Sequence, residues 1–124
     1  MQTIFTSTFT FAMAEVDDEF HALDQAIAAA AKAIPGYLGE EAWEQPATGL
    51  LTNVYYWDSL EALRALIEHP AHLEAKRRQA DWLRGYQVVV AQVLACYGDG
   101  GTDHPLAHVR QRLASPGGDA VRSG

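Results

Sequence analysis

Residues 37–60, "YLGEEAWEQPATGLLTNVYYWDSL", decide the fold. Residues 37–44 and 50–57 each read as a strand, and "QPATG" between them supplies Pro46 and Gly49 for a hairpin turn. The pattern then changes period. Asp58 reads as an N-cap with Glu61 completing a capping box, and Leu60, Leu63, Leu66 and Ile67 form the apolar side of a helix. A central hairpin running straight into a helix leaves few topologies open.

Outward from the hairpin, residues 3–12 alternate Thr and Phe and read as a first strand. Asp17 or Asp18 caps a helix whose stripe is Phe20, Leu23, Ile27, Ala30 and Ile34, and "IPG" at 34–36 stops it. On the other side, "HP" at 69–70 breaks the second helix. Pro70 suits the first position of a continuation helix that runs to about Trp82 and ends before Gly85. Residues 86–97, "YQVVVAQVLACY", read as the last strand. The order β-α-β-β-α-β is that of ferredoxin-like α+β folds, with helices on one face of a four-stranded antiparallel sheet. Both parities of the strands 50–57 and 86–97 contain apolar residues, so the other face needs a cover. A second copy packed sheet to sheet, making a dimeric α/β barrel, is the economical choice. The domain is expected over residues 1–97. Residues 98–124 read as a Gly-rich tail or arm with one amphipathic segment near 105–114.

The chain of 124 residues carries a net charge of −7, which disfavours nucleic acid or an anionic membrane as partner. Its 48% apolar and 20% charged content is ordinary for a soluble domain. Cys96 is alone, so no internal disulfide forms, and a reducing compartment is expected. The first twenty residues lack a signal-peptide pattern, and no apolar run approaches the roughly 20 residues of a membrane span. The expectation is a cytoplasmic protein.

Strand parity puts Leu51, Asn53, Tyr55 and Trp57 on one face. Pairing Trp43 with Leu51 would add Trp43 and Glu41 to it. A buried amide costs about 1–3 kcal/mol unless hydrogen-bonded, so Asn53 among aromatics points to a pocket wall with one polar handle. The plain alternative is an Asn bonded to a loop. On the continuation helix, Arg77 shares a face with Leu73 and Ala80, where a guanidinium would stabilise an anionic intermediate; otherwise "KRR" is a solvated run. His72 is a candidate pocket acid or base, or a haem ligand. His69 and His72, and His104 and His108, lack a third metal ligand, so no metal site is expected. Trp82 and Tyr86 bracket Gly85 at a pocket rim or in simple helix-end packing. No GxGxxG, P-loop, GxSxG or HExxH motif occurs.

The stretches "IPGYLGEEAWE", "TNVYYWDSLEALRAL", "HPAHLEAK" and "YQVVVAQV" resemble the antibiotic biosynthesis monooxygenase family of dimeric α/β-barrel proteins, over residues 3–97. The resemblance implies a homodimer with a largely apolar pocket between sheet and helices. In the family's cofactor-free quinone-forming oxygenases an Asn and a Trp four residues apart close the third strand, and Asn53 and Trp57 match. An Arg of the later helix falls on Arg77. Two positions depart: a His of the second strand falls on Trp43, and a Tyr of the second helix falls on Leu63. The haem-degrading members use an Asn in the first strand, where this chain has Thr6, Thr8 and Thr10. Their Trp and His fall near Leu66 and Lys76, and His72 is displaced by about one turn.

The expectation is thus a cofactor-independent monooxygenase for a small apolar or aromatic, phenolic substrate. The resemblance implies Asn53, Trp57 and Arg77 in the chemistry. Trp43, Tyr55, Leu63, His72 and Trp82 are expected around the substrate. Haem held by His72, or a dimeric small-molecule-binding protein without turnover, are the alternatives.

Overall fold

The computed structural model describes residues 3–107. Seven elements follow one another: β1 (Ile4–Met13), α1 (Asp18–Ala33), β2 (Tyr37–Glu44), β3 (Leu51–Trp57), α2 (Leu60–Ile67), α3 (Pro70–Trp82) and β4 (Leu83–Val93). The strands form one antiparallel sheet in the order β2-β3-β1-β4, the ferredoxin-like α+β arrangement.

Local chemistry explains most boundaries. Asp17 Oδ1 accepts the Phe20 N–H at 2.9 Å and starts α1. Pro70 opens α3, and His69 Nδ1 accepts the Ala71 N–H at 3.1 Å, so His69 is a cap. One cap differs from expectation: Ser59, not Asp58, caps α2, its Oγ accepting the Ala62 N–H at 3.1 Å. The last strand also differs from 86–97. It begins at Leu83, opposite Met13, and stops at Val93 because its partner β1 begins at Ile4, opposite Val93.

The β2–β3 register departs from the expected Trp43–Leu51 pairing. Trp43 lies opposite Thr52, and Ala42 lies opposite Asn53. The cause is an irregularity between Tyr37 and Gly39, where Leu38 is the extra residue. A bulge reverses the parity of every residue after it. Tyr37 faces the helices with Trp57, but so do Glu40 and Ala42, while Glu41 and Trp43 turn to the outer face. Trp43 is 51% exposed there.

Two apolar clusters result. On the helix side, Trp57 is buried with Ala31, Ala62, Leu63 and Leu66. On the outer side, Ile4, Val54 and Tyr56 pack with Leu106, which is 2% exposed. The chain after β4 therefore returns across its own sheet. Gly39, with φ 146°, admits this approach, since a Cβ there would lie 2.6 Å from the Cβ of Pro105. Tyr56 Oη donates to Glu41 Oε2 at 2.6 Å and lies 3.3 Å from His104 Nε2, tying the returning segment to β2 and β3. His108 and most of the 105–114 segment lie outside the described residues.

Candidate functional site

A cavity of about 460 Å³ lies between the helices and the sheet. Its floor is Ser7, Phe9 and Phe11 of β1, Asn53 and Tyr55 of β3, and Tyr86, Val88 and Val90 of β4. These side chains share the helix-facing side because Ser7 lies opposite Tyr55, Phe9 opposite Asn53, and Phe11 opposite both Leu51 and Tyr86. Phe20, Leu23, Asp24 and Ile27 of α1 form one upper wall. Leu63, Leu66 and Ile67 of α2, with His72, Ala75, Lys76, Gln79 and Trp82 of α3, form the rest.

The expected pocket residues Asn53, Tyr55, Leu63, His72 and Trp82 all line this cavity. Asn53 is the one amide of the strand floor, and none of the side-chain hydrogen bonds among the described residues involves it. Trp57 stands behind the floor. It is fully buried, and its Nε1 donates to Ser7 Oγ at 3.1 Å, which leaves the Ser7 hydroxyl hydrogen free to point elsewhere. Its ring lies 5.8 Å from that of Tyr55, so it positions the wall rather than forming it.

Arg77 and Trp43 are not brought to the cavity. The Arg77 side chain is 66% exposed and forms a two-pronged pair with Glu74 of its own helix, at 2.8 and 2.6 Å. Leu73, the residue that suggested an inward face, is itself exposed. The inward face of α3 is instead His72, Ala75, Lys76, Gln79 and Trp82, spaced by three and four residues. The cation on the cavity is therefore Lys76. Counting back from Trp82, the one buried residue of α3, would have found that phase; Leu73 misled because one exposed Leu is unremarkable.

Electrostatics divides the polar groups. Burial, reinforced by the Lys76 ammonium, pushes the His72 imidazole below its ordinary value, so it is neutral at pH 7. Its Nδ1 is buried without a partner among the described residues. The unfolded chain binds this proton more readily than the folded one. His72 thus contributes stability above a pH of about 6.5 that is lost as pH falls through its lower folded value. In urea melts, wild type should weaken from pH 7 to pH 5 more than His72→Gln; parallel losses would show that His72 is not desolvated.

Burial likewise pushes the Tyr55 hydroxyl far up, with Glu40, Asp24 and Tyr37 adding to it, so Tyr55 stays a hydrogen-bond donor. Tyr37, which donates to Glu40 Oε1 at 2.9 Å, is pushed up to about 12, first by burial and then by that bond. The Asp24 residue is exposed on the cavity rim, but its carboxyl is partly desolvated. That burial raises it, His21 opposes the shift and Glu40 adds to it. Asp24, Ser7, Lys76 and Gln79 are cavity residues that sequence reasoning did not single out. Among the described residues no group of three or more His, Cys, Asp or Glu side chains is gathered to hold a metal ion. No described helix is long and apolar enough to cross a membrane.

No family model matches the chain. It is 38% identical over 60 residues to the uncharacterized protein YqjZ of Bacillus subtilis. That match takes in 48% of this chain and 52% of YqjZ, so the chain spans about half the length of this curated relative. Among solved structures, a variant of SnoaB, a cofactor-independent oxygenase from Streptomyces nogalater, superposes with a TM-score of 0.65. The identity is 13%, over 77% of this chain and 98% of SnoaB. A putative antibiotic biosynthesis monooxygenase from Chloroflexus aurantiacus superposes with a TM-score of 0.53 at 17% identity, over 78% and 99% of the two chains. At these identities what is shared is the fold, a ferredoxin-like architecture.

Proposed function

We propose that the cavity binds an aromatic or phenolic small molecule and that the protein oxidises it with dioxygen without a resident cofactor. The observation that carries this reading is the unpartnered Asn53 amide in the middle of a floor made of Phe9, Phe11, Tyr55 and Val88. A flat ring fits such a floor, and one amide fixes its oxygen. The likeness in fold to SnoaB supports the oxygen chemistry.

In this account the neutral His72 takes a proton from the activated carbon or phenol of the substrate. Asn53 donates a hydrogen bond to the oxygen that gains negative charge, and Lys76 lowers the energy of that anion from the rim. The anion passes one electron to dioxygen, the two radicals combine into a C–O bond, and loss of water from the hydroperoxide leaves a carbonyl. Conversion of CH2 and O2 to C=O and H2O balances with no added reductant. Exclusion of water by the aromatic floor strengthens each contact. The test is dioxygen uptake by the purified protein with a panel of hydroxyquinones and anthrones. Ligand binding without uptake on any of them would leave the non-catalytic binding reading instead.

The unpartnered Nδ1 of His72 favours a second reading, haem ligated by that residue. Hemin would then give a Soret band that His72→Ala abolishes; a band unchanged in the variant would reject it.

The protein is also proposed to act as a homodimer. Among the described residues β4 is an edge strand paired only with β1, and Tyr86, Val88, Val89 and Val90 are half-exposed on both of its faces. Such an edge is normally covered. Light scattering on a sizing column should give twice the chain mass, and Val89→Asp should give the monomer; a monomeric wild type would refute this.

A further inference from the structure

The charged groups around the cavity stand on opposite flanks. Glu19 of α1 reaches Arg78 of α3 at 2.7 Å, and the rings of Phe20 and Trp82 meet at 5.5 Å. These residues mark the sides on which the two helices face each other. Asp24 and Lys76 both line the cavity, and α1 packs over β2 while α3 packs over β4, at opposite edges of the sheet. Their surroundings agree. The charges acting on Asp24 belong to His21 and Glu40, and Asp24 acts on Tyr55, whereas Lys76 acts on His72. The acidic flank is thus beside β2 and β3, the basic flank is beside His72 on α3, and Phe9 and Asn53 belong to the floor they share.

We propose that this cavity selects a hydroxylated aromatic acid, with its carboxylate at Lys76 and its hydroxyl donating to Asp24. The inference rests on the cavity being the ligand site proposed above, but not on any oxygen chemistry. Both charged residues are at the exposed rim, so the ligand's acid group keeps part of its hydration while its ring enters the apolar floor. The reversed orientation would set carboxylate against carboxylate at Asp24, which fixes the direction of binding. Tyr55, held protonated, is a second donor on the acidic flank for the ligand's hydroxyl oxygen.

The test is calorimetric titration of the full chain with three probes: hydroxynaphthoate, naphthoate and naphthol. Hydroxynaphthoate should bind about tenfold more tightly than either of the others. Asp24→Ala, a change suited to an exposed helix position, should erase its advantage over naphthoate while leaving naphthoate affinity within about twofold. Lys76→Met should erase its advantage over naphthol. Three probes binding wild type within about twofold of one another, no probe binding, or Asp24→Ala weakening all three equally would each overturn the proposal. Selective binding without dioxygen uptake on any substrate would remove the oxygenase reading and keep this one. Uptake on neutral phenols with no preference for acids would do the reverse.

Discussion

Asn53→Ala is expected to lower kcat/KM for dioxygen-dependent turnover by about a hundredfold while the protein stays folded. The expected loss is that of one preorganised donor aimed at developing negative charge in a water-poor site, about 10²–10³ in rate. Asn53 sits on β3 opposite Phe9 and Ala42, so its amide has only apolar cross-strand neighbours on that face. Removing it leaves the substrate oxygen facing hydrocarbon. The fold tolerates the change because the side chain borders an existing cavity and makes no hydrogen bond among the described residues. A stability change within about 1 kcal/mol is expected in urea. Gln79→Ala, on the helical wall, should change kcat/KM far less. Equal small losses in the two variants would remove Asn53 from the chemistry.

Trp57→Ala should have the largest effect on stability. Its side chain is fully buried at the junction of β3, α1 and α2, with edge-on contact to Tyr37 at 6.0 Å between ring centres. Truncating a core Trp costs about 3–5 kcal/mol. Against a total stability of about 5–15 kcal/mol, that brings the chain near unfolding. Trp57→Phe keeps an aromatic ring but loses the bond to Ser7 and part of the packed volume, a loss of about 2 kcal/mol. Because Trp57 lies behind Ser7 and Tyr55, this milder variant should keep kcat within about tenfold of wild type. Urea midpoints and turnover measured together decide the matter. A Trp57→Phe variant as stable as wild type but inactive would return Trp57 to the chemistry.

The order of elements was legible because each carries its own punctuation: Asp17 and Pro70 open helices, and "IPG" and "QPATG" close or turn them. Parity within β3 was legible too, since a regular strand alternates without exception, and it placed Asn53 and Tyr55 on the cavity side. Trp43 was lost to one bulge residue, Leu38, which reverses everything after it in β2. The isolated Gly39 was the available sign, because glycine inside a strand marks bulges and close backbone approaches. Arg77 was lost to helical phase. An amphipathic stripe with a long exposed Leu and several charges gives a poor angle, and the buried Trp82 was the better origin. Asp24 could not be found this way, since its meaning depends on Glu40 and Tyr55 from β2 and β3.

In the proposed reaction the cavity passes one atom of dioxygen to an aromatic ligand with no cofactor. Its most direct measurement is the mass of the product formed by chelator-treated protein under ¹⁸O₂ with the hydroxyquinone and anthrone panel. Wild type should give a product carrying one ¹⁸O atom, with the second atom in water, and Asn53→Ala almost none. Products without ¹⁸O, or the same labelled yield from Asn53→Ala, would contradict it.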